Sequence, residues 1–333
     1  MSVLTLLIMF MVTLCLAIII SPIVLNIAEK ANLNDTVNER SAHVKPALRG
    51  GGLIFIFSTA ILLVANLIHH FLVIPPGFSL ILYSSYACAL IGFLDDKYTL
   101  PSSLRFFGQI ALVVYPSLHL PLLFPHLSSV VQYSLYTISW VWFINLFNFM
   151  DGTDGYAAQE ALFIFVLLSI ILPEFRVLST IFMAATLGFL KVNYPKASIF
   201  MGDAGSYFLG YLLFGLMIYS FTHHPYLVVT CLIISMLFWL DATSTLIKRI
   251  IKKESFLKAH RSHWYQRLYN LEYSHLFIFW SGVIINTLLF LLSMVAINSS
   301  YSLLSLALSF CLLVIVAFWI RRVEDSKFRL CND

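Results

Sequence analysis

Apolar stretches about as long as a bilayer is thick recur from one end of this 333-residue chain to the other. A helix needs about 20 consecutive apolar residues to cross a hydrocarbon layer of roughly 30 Å. Runs of that kind fall at approximately 3–26, 52–72, 77–94, 106–124, 130–150, 157–173, 176–192, 205–222, 225–247, 276–297 and 301–320; Pro116, Pro121 and Pro173 interrupt or end the fourth, sixth and seventh. Inside a bilayer each backbone N–H and C=O must find its partner within the protein, which favours the helix for every run. The composition agrees, with 60% hydrophobic and 11% charged residues against about 45–50% and about 25% in soluble domains. The expected fold is an all-α polytopic integral membrane protein of eleven transmembrane helices. It forms one domain over residues 1–333, because the longest non-apolar stretches, 27–51 and 248–275, are too short to fold alone.

Charge placement orients this bundle, since cytoplasmic loops collect Lys and Arg. With the N-terminus outside and the C-terminus cytoplasmic, the inner segments hold Lys30, Arg40, Lys45 and Arg49, then Lys97 and Arg105, Lys191 and Lys196, seven basic residues from Lys248 to Arg267, and four in the tail. Only Arg176 falls outside. The net charge of +4 therefore reflects orientation and points to no nucleic-acid partner. The first run lacks a preceding basic residue and exceeds a signal-peptide core, so it is expected to stay as a span. The five cysteines contain no CxxC pair, so neither a disulfide framework nor a zinc site is expected.

Within that frame the informative residues are acids at the inner ends of apolar runs: Asp95 and Asp96 in GFLDDKY, Asp151 and Asp154 in NLFNFMDGTDGY, and Asp203 in FMGDAGS. A carboxylate at the bilayer centre costs roughly 2.5–3.5 kcal/mol on insertion scales, so acids beside spans tend to line a watery cavity or hold a cation. Asn145, Asn148 and Asp151 recur at three-residue intervals and are expected to form a polar stripe. Gly152 and Gly155 then end the helix and free backbone groups for a ligand. The bland role for the two amides is interhelical hydrogen bonding, for Asp95-Asp96 a solvated loop, and for Asp203 a helix cap. Three acidic clusters on one face argue instead for a hard-cation and phosphate site.

His260, Arg261, His263 and Arg267 in KAHRSHWYQRL suit phosphate binding by charge and forked hydrogen bonds. The glycine run of KPALRGGG is open to two uses, close approach to a phosphate or tight packing. Asp241 is expected to be structural, pairing with Lys248 or Arg249.

Taken together these segments resemble the polyprenyl-phosphate N-acetylhexosamine-1-phosphate transferases, polytopic bacterial enzymes of ten or eleven spans. The likeness runs in order through GFLDDKYTLPSSLR, NLFNFMDGTDGYA, NYPKASIFMGDAGSYFLG, WLDATSTLIKR and HRSHWYQRL. It implies transfer of a sugar 1-phosphate from a UDP-N-acetylhexosamine to undecaprenyl phosphate, with release of UMP, at the cytoplasmic face of the bacterial inner membrane. It further implies Mg²⁺ as cofactor, with Mn²⁺ as a substitute, and membrane lipid as the surroundings; the oligomeric state is open, a homodimer included. By the same resemblance Asp203 is the metal ligand with Asn148 beside it, and Asp95 and Asp96 position or deprotonate the lipid phosphate. Asn193 belongs to the nucleoside site. Asp151, Asp154, His260 and His263 belong to the nucleotide-diphosphate side, with Asn145 and Arg261 as neighbouring binding residues.

The histidine loop departs from the family's H-x-H-H pattern, reading His260-Arg261-Ser262-His263. This form resembles the O-antigen and capsule branch, which handles 6-deoxy sugars such as FucNAc or QuiNAc, with UDP-GlcNAc as another donor. It tells against the alternative of a phospho-N-acetylmuramoyl-pentapeptide transferase. A CDP-alcohol phosphotransferase needs an Arg after its DGxxA, where this chain has Gln159. A secondary transporter favours inverted repeats and a midplane site, neither of which is visible.

Overall fold

The computed structural model describes residues 3–35, 47–254 and 261–330. The apolar runs become helices, and α11 adds a short one in the histidine loop: α1 (Val3–Lys30), α2 (Leu53–His69), α3 (Phe78–Tyr98), α4 (Ser102–Ser117), α5 (Ser129–Met150), α6 (Tyr156–Ile171), α7 (Arg176–Asn193), α8 (Gly202–His223), α9 (Val228–Ile234), α10 (Met236–Ile251), α11 (Trp264–Asn270), α12 (His275–Ala296) and α13 (Ser299–Leu330). Among the described residues, strand pairing is confined to a two-residue antiparallel ladder, Asn34–Asp35 against Ala47–Leu48, and a bridge from Leu48 to Ile199.

Every expected run contains helix, although that at 106–124 stops at Ser117, yet fewer qualify as spans. By length and composition six helices are able to cross a membrane, α1, α3, α7 with its leading turn, α8, α12 and α13, or seven when α9 and α10 count as one broken span. The figure of eleven is therefore not reached on these criteria. Helices α2, α4 and α6, at 16 or 17 residues, rise only about 24–26 Å, and α5 is long enough but diluted by Gln132, Asn145 and Asn148. The expected run at 225–247 is bent by 71° where α9 meets α10. At the break Ser235 Oγ donates to the Cys231 carbonyl (2.9 Å), a back-bond that commonly bends helices.

Helix α8 forms the centre, with nearly all its residues buried against α3 and α5 and further contacts to α2 and α6. Small residues permit this, as in membrane bundles generally: Gly210 lies against the Ile144 backbone and Gly215 against Trp140 and Ile81. Trp140 Nε1 donates to the Tyr211 carbonyl (2.9 Å), fixing α5 on α8. This arrangement gathers the C-terminal ends of α3, α5 and α7 with the N-terminal ends of α2, α6, α8 and α12 at one end of the bundle.

Candidate active site

The start of α8 is the hub. Four unsatisfied N–H groups and a partial positive charge mark any helix N-terminus, and here the counter-charge comes from another helix. Asp96, at the end of α3, accepts from the N–H of Asp203 (2.9 Å) and of Ala204 (3.0 Å) through its two oxygens. The cap that the sequence offers to Asp203 is thus supplied by Asp96, and the Asp203 carboxylate turns to α5. There Asn148 Nδ2 donates to Asp203 Oδ1 (2.7 Å) and to Ser206 Oγ (2.9 Å).

Asp95 reaches α4 and the next turn of α8. Its Oδ1 accepts from Leu100 N (2.9 Å), and its Oδ2 takes Arg105 (2.7 Å) and the Tyr207 hydroxyl (3.2 Å). Asp151 ends α5, its N–H on the Asn148 carbonyl. Burial pushes its carboxyl well above the usual carboxylate range, the Asp203 and Asp96 carboxylates add to this, and only Arg49 opposes it. Asp96, Asn148, Asp151 and Asp203 are all half-buried, so the cluster is reachable from the end of the bundle.

Among the described residues no three acid, imidazole or thiol side chains form a ready-made metal cage. Mg²⁺ does not need one: it is commonly held by one or two carboxylates, several waters and substrate phosphates. Hard oxygens of Asp203 and Asp151, mutually repelling and under-compensated by a single Arg49, fit that mode.

A second group surrounds the DGTDG loop. Asn193, at the end of α7, accepts from Gly155 N–H (3.0 Å) and donates to the Ile199 carbonyl (2.9 Å). Its amide is spent on scaffolding, and the Gly155 N–H that was expected to be free for a ligand is occupied. Asp154 Oδ2 accepts from Ala197 N (3.1 Å), while Oδ1 lies 3.4 Å from His275 Nδ1. Gly152 makes room for Tyr265, whose hydroxyl donates to the Phe149 carbonyl (2.9 Å); a Cβ on Gly152 would stand 2.0 Å from the Tyr265 hydroxyl oxygen.

The third group is the histidine loop. His260 lies outside the described residues. His263 is buried beside Phe149 and Tyr265, with its Nδ1 3.6 Å from Asp241 Oδ1. Fully buried Asp241 also accepts from Trp264 N (2.9 Å) and the Thr245 hydroxyl (3.1 Å). Its structural role holds, but its expected partners do not: Arg249 pairs with Glu254 at 2.9 Å. Arg261 is half-buried, its carbonyl accepting from Asn270.

One further expectation changes, and one open choice is resolved. Asn145 leaves the polar stripe, donating to Gln109 Oε1 (2.6 Å) on α4 and to the Val141 carbonyl. The glycine run serves packing: Gly51 and Gly52 donate to the Phe200 and Met201 carbonyls (2.8 and 2.9 Å), and a Cβ on Gly52 would meet Gly205 Cα at 2.3 Å.

Comparison with known proteins decides the family. The glycosyl transferase family 4 model matches residues 78–221. A Bacillus subtilis protein named as a probable undecaprenyl-phosphate N-acetylglucosaminyl 1-phosphate transferase is 30% identical over 92% of this chain and 88% of its own length. The chain belongs to the polyprenyl-phosphate N-acetylhexosamine-1-phosphate transferase family. Similar to this transferase are also a decaprenyl-phosphate N-acetylglucosaminephosphotransferase of Mycolicibacterium smegmatis (28% identical, 74% of this chain and 72% of that protein) and a phospho-N-acetylmuramoyl-pentapeptide-transferase of Staphylococcus haemolyticus (25%, 85% and 97%). The transferase is a multi-pass membrane protein by its apolar helices and its family.

The positive-inside pattern hid two cations of this transferase that act on the acids, Arg105 paired with Asp95 and Arg49 by its charge on Asp151 and Asp96. Asp151 supplies a prediction independent of turnover. A carboxyl that keeps its proton to higher pH in the folded than in the unfolded state loses stability as pH rises through that interval. In excess EDTA, Asp151→Asn is therefore expected to unfold at a higher temperature than wild type at mildly alkaline pH, the gap closing towards about pH 4, where unfolded Asp protonates. A variant less stable than wild type throughout would refute the repulsion.

Proposed function

We propose that this transferase moves an N-acetylhexosamine 1-phosphate from a UDP-sugar to undecaprenyl phosphate, releasing UMP, with Mg²⁺ at Asp203. The observation that carries this is the Asp96–Asp203–Asn148 contact, which brings motifs from three helices together at one end of the bundle. An oxygen of the lipid phosphate forms a bond to the sugar-bearing phosphorus as that phosphorus loses its bond to UMP. A phosphate monoester with a second pKa of about 6 is already largely dianionic at neutral pH, so no strong base is required. Both oxygens of Asp95 and both of Asp96 are engaged by donors, which suits placing Arg105 and the α8 terminus better than attacking phosphorus. A divalent ion held there would neutralise charge on the diphosphate, the main demand of phosphoryl transfer. Arg49 and Arg105 add fixed positive charge. The location follows the charge pattern: the site faces the cytoplasm, where the nucleotide sugar is dissolved, at the level where the lipid phosphate emerges.

UDP-GlcNAc is the donor favoured by relatives named for N-acetylglucosamine, the more similar ones, over the muramoyl-pentapeptide donor. The 6-deoxy sugars and a role in O-antigen or capsule synthesis rest on the form of the histidine loop alone. The test is purified protein with undecaprenyl phosphate and a panel of UDP-GlcNAc, UDP-FucNAc, UDP-QuiNAc and UDP-N-acetylmuramoyl-pentapeptide, following UMP. UMP release dependent on both lipid and an N-acetylhexosamine donor is expected. Turnover of the pentapeptide donor alone would overturn the donor assignment, and absence of turnover with all four would overturn the reading.

A further inference from the structure

None of the sequence motifs lies on α12, yet its first residue reaches the DGTDG loop. His275 Nδ1 lies 2.7 Å from Thr153 Oγ1, 3.4 Å from Asp154 Oδ1 and 3.5 Å from Asp154 N. Ser274 Oγ caps α12 by accepting from Phe277 N (3.2 Å), which fixes where the helix starts. The Tyr269 ring stands against the imidazole, with centroids 5.2 Å apart. Further along α12, Asn286 donates to Glu160 of α6 (2.7 Å), both side chains fully buried. Two polar ties about 16 Å apart along the helix, eleven residues at 1.5 Å each, hold α12 in register with α6, which begins directly after the loop.

From the proposed function, we infer that His275 is a positioning residue: it orients Thr153 and Asp154 so that the DGTDG loop meets the donor diphosphate. Asp154 is then gripped from two sides, by Ala197 N on Oδ2 and by His275 beside Oδ1. With its proton on Nδ1 the ring donates there, to the Thr153 oxygen and on the side of Asp154 Oδ1, and with its proton on Nε2 alone it accepts at Nδ1 from the Thr153 hydroxyl and from the Asp154 N–H. The Thr153 hydrogen bond survives with the proton on either nitrogen, as suits a fixed support.

The test uses full-length protein in nanodiscs, saturating undecaprenyl phosphate and varied UDP-GlcNAc. His275→Ala is expected to raise the donor KM about tenfold or more with a smaller fall in kcat, as displacement of a group that binds substrate does. His275→Asn, whose amide reaches the Nδ1 position, should restore most of the loss, and His275→Gln, whose amide reaches the Nε2 position, should not. Thr153→Val added to His275→Ala should cost less than the two single effects combined, as for residues sharing one contact. A donor KM unchanged in His275→Ala, equal rescue by Gln, or additive effects would overturn the role. So would a loss confined to kcat that Asn fails to rescue. If wild type turns over no donor, the proposed function fails, but the loop placement is still measured: hydrogen exchange at the Asp154 and Gly155 amides should quicken in His275→Ala, and unchanged exchange would overturn it.

Discussion

Asp203→Asn is expected to reduce UMP release about a thousandfold or more while leaving the protein folded. Asparagine keeps an oxygen for the Asn148 amide, which donates to Asp203 at 2.7 Å, and its own N–H still meets Asp96. What disappears is a negative charge on the group best placed to hold a divalent ion. A bound metal contributes several kcal/mol of charge stabilisation in phosphoryl transfer, and each 1.36 kcal/mol is a factor of about ten in rate, so loss of the ligand should dominate every other single change at the cluster. Excess EDTA should reproduce the loss in wild type, and added Mg²⁺ should reverse it. Because the substitution removes repulsion with Asp151, the variant should unfold no earlier than wild type without metal. Full activity in Asp203→Asn, or in excess EDTA, would remove the metal from the reaction.

The parts of this site legible in the sequence are those that follow from spacing along one helix. Asn148 and Asp151 fall on one side of α5, as their three-residue interval requires. Three residues rotate a helix by about 300°, however, so each step drifts about 60°. By the time the series is traced back to Asn145 it has turned about 120° from Asp151, far enough to face Gln109 on α4. The same geometry separates Asp95 from Asp96, adjacent in sequence and about 100° apart on α3: one takes Arg105 and Tyr207, the other the start of α8. The two neighbours thus hold different partners on α4 and α8.

What escaped the sequence were partners whose presence had another sufficient cause. Arg49 and Arg105 sit where the positive-inside rule already demands cations, and charge pattern alone does not tell which cation meets a carboxylate. His275 stands alone at a helix start with no metal-ligand spacing around it. The span count meets a related limit: hydropathy locates an apolar run but not the length of its helix, and a lone Ser235 in an apolar run does not announce a 71° break.

The second large effect is expected at Gly92, in the GFLDD segment. Gly92 lies four residues before Asp96 and so on the same stripe of α3, facing the start of α8. A Cβ there would stand 2.2 Å from the Asp203 carbonyl oxygen, 2.5 Å from its carbon and 2.6 Å from Ala204 N. All three are backbone atoms, so no side chain can swing aside. Helix propensity alone favours alanine over a mid-helix glycine by about 1 kcal/mol, whereas forcing extra atoms into a tight contact costs about 1–3 kcal/mol, so the steric term should win. Relief requires α3 and α8 to separate by about 1 Å before ordinary van der Waals distance is restored, and that same movement withdraws Asp96 from the Asp203 and Ala204 N–H groups it caps. Since misplacement of about 1 Å can cost about a hundredfold in rate, Gly92→Ala should lose about two orders of magnitude in UMP release and unfold at a lower temperature than wild type. A Gly92→Ala protein that is fully active and more heat-stable, as propensity alone would make it, would show that α3 does not approach α8 this closely and that Asp96 is not what holds Asp203 in place.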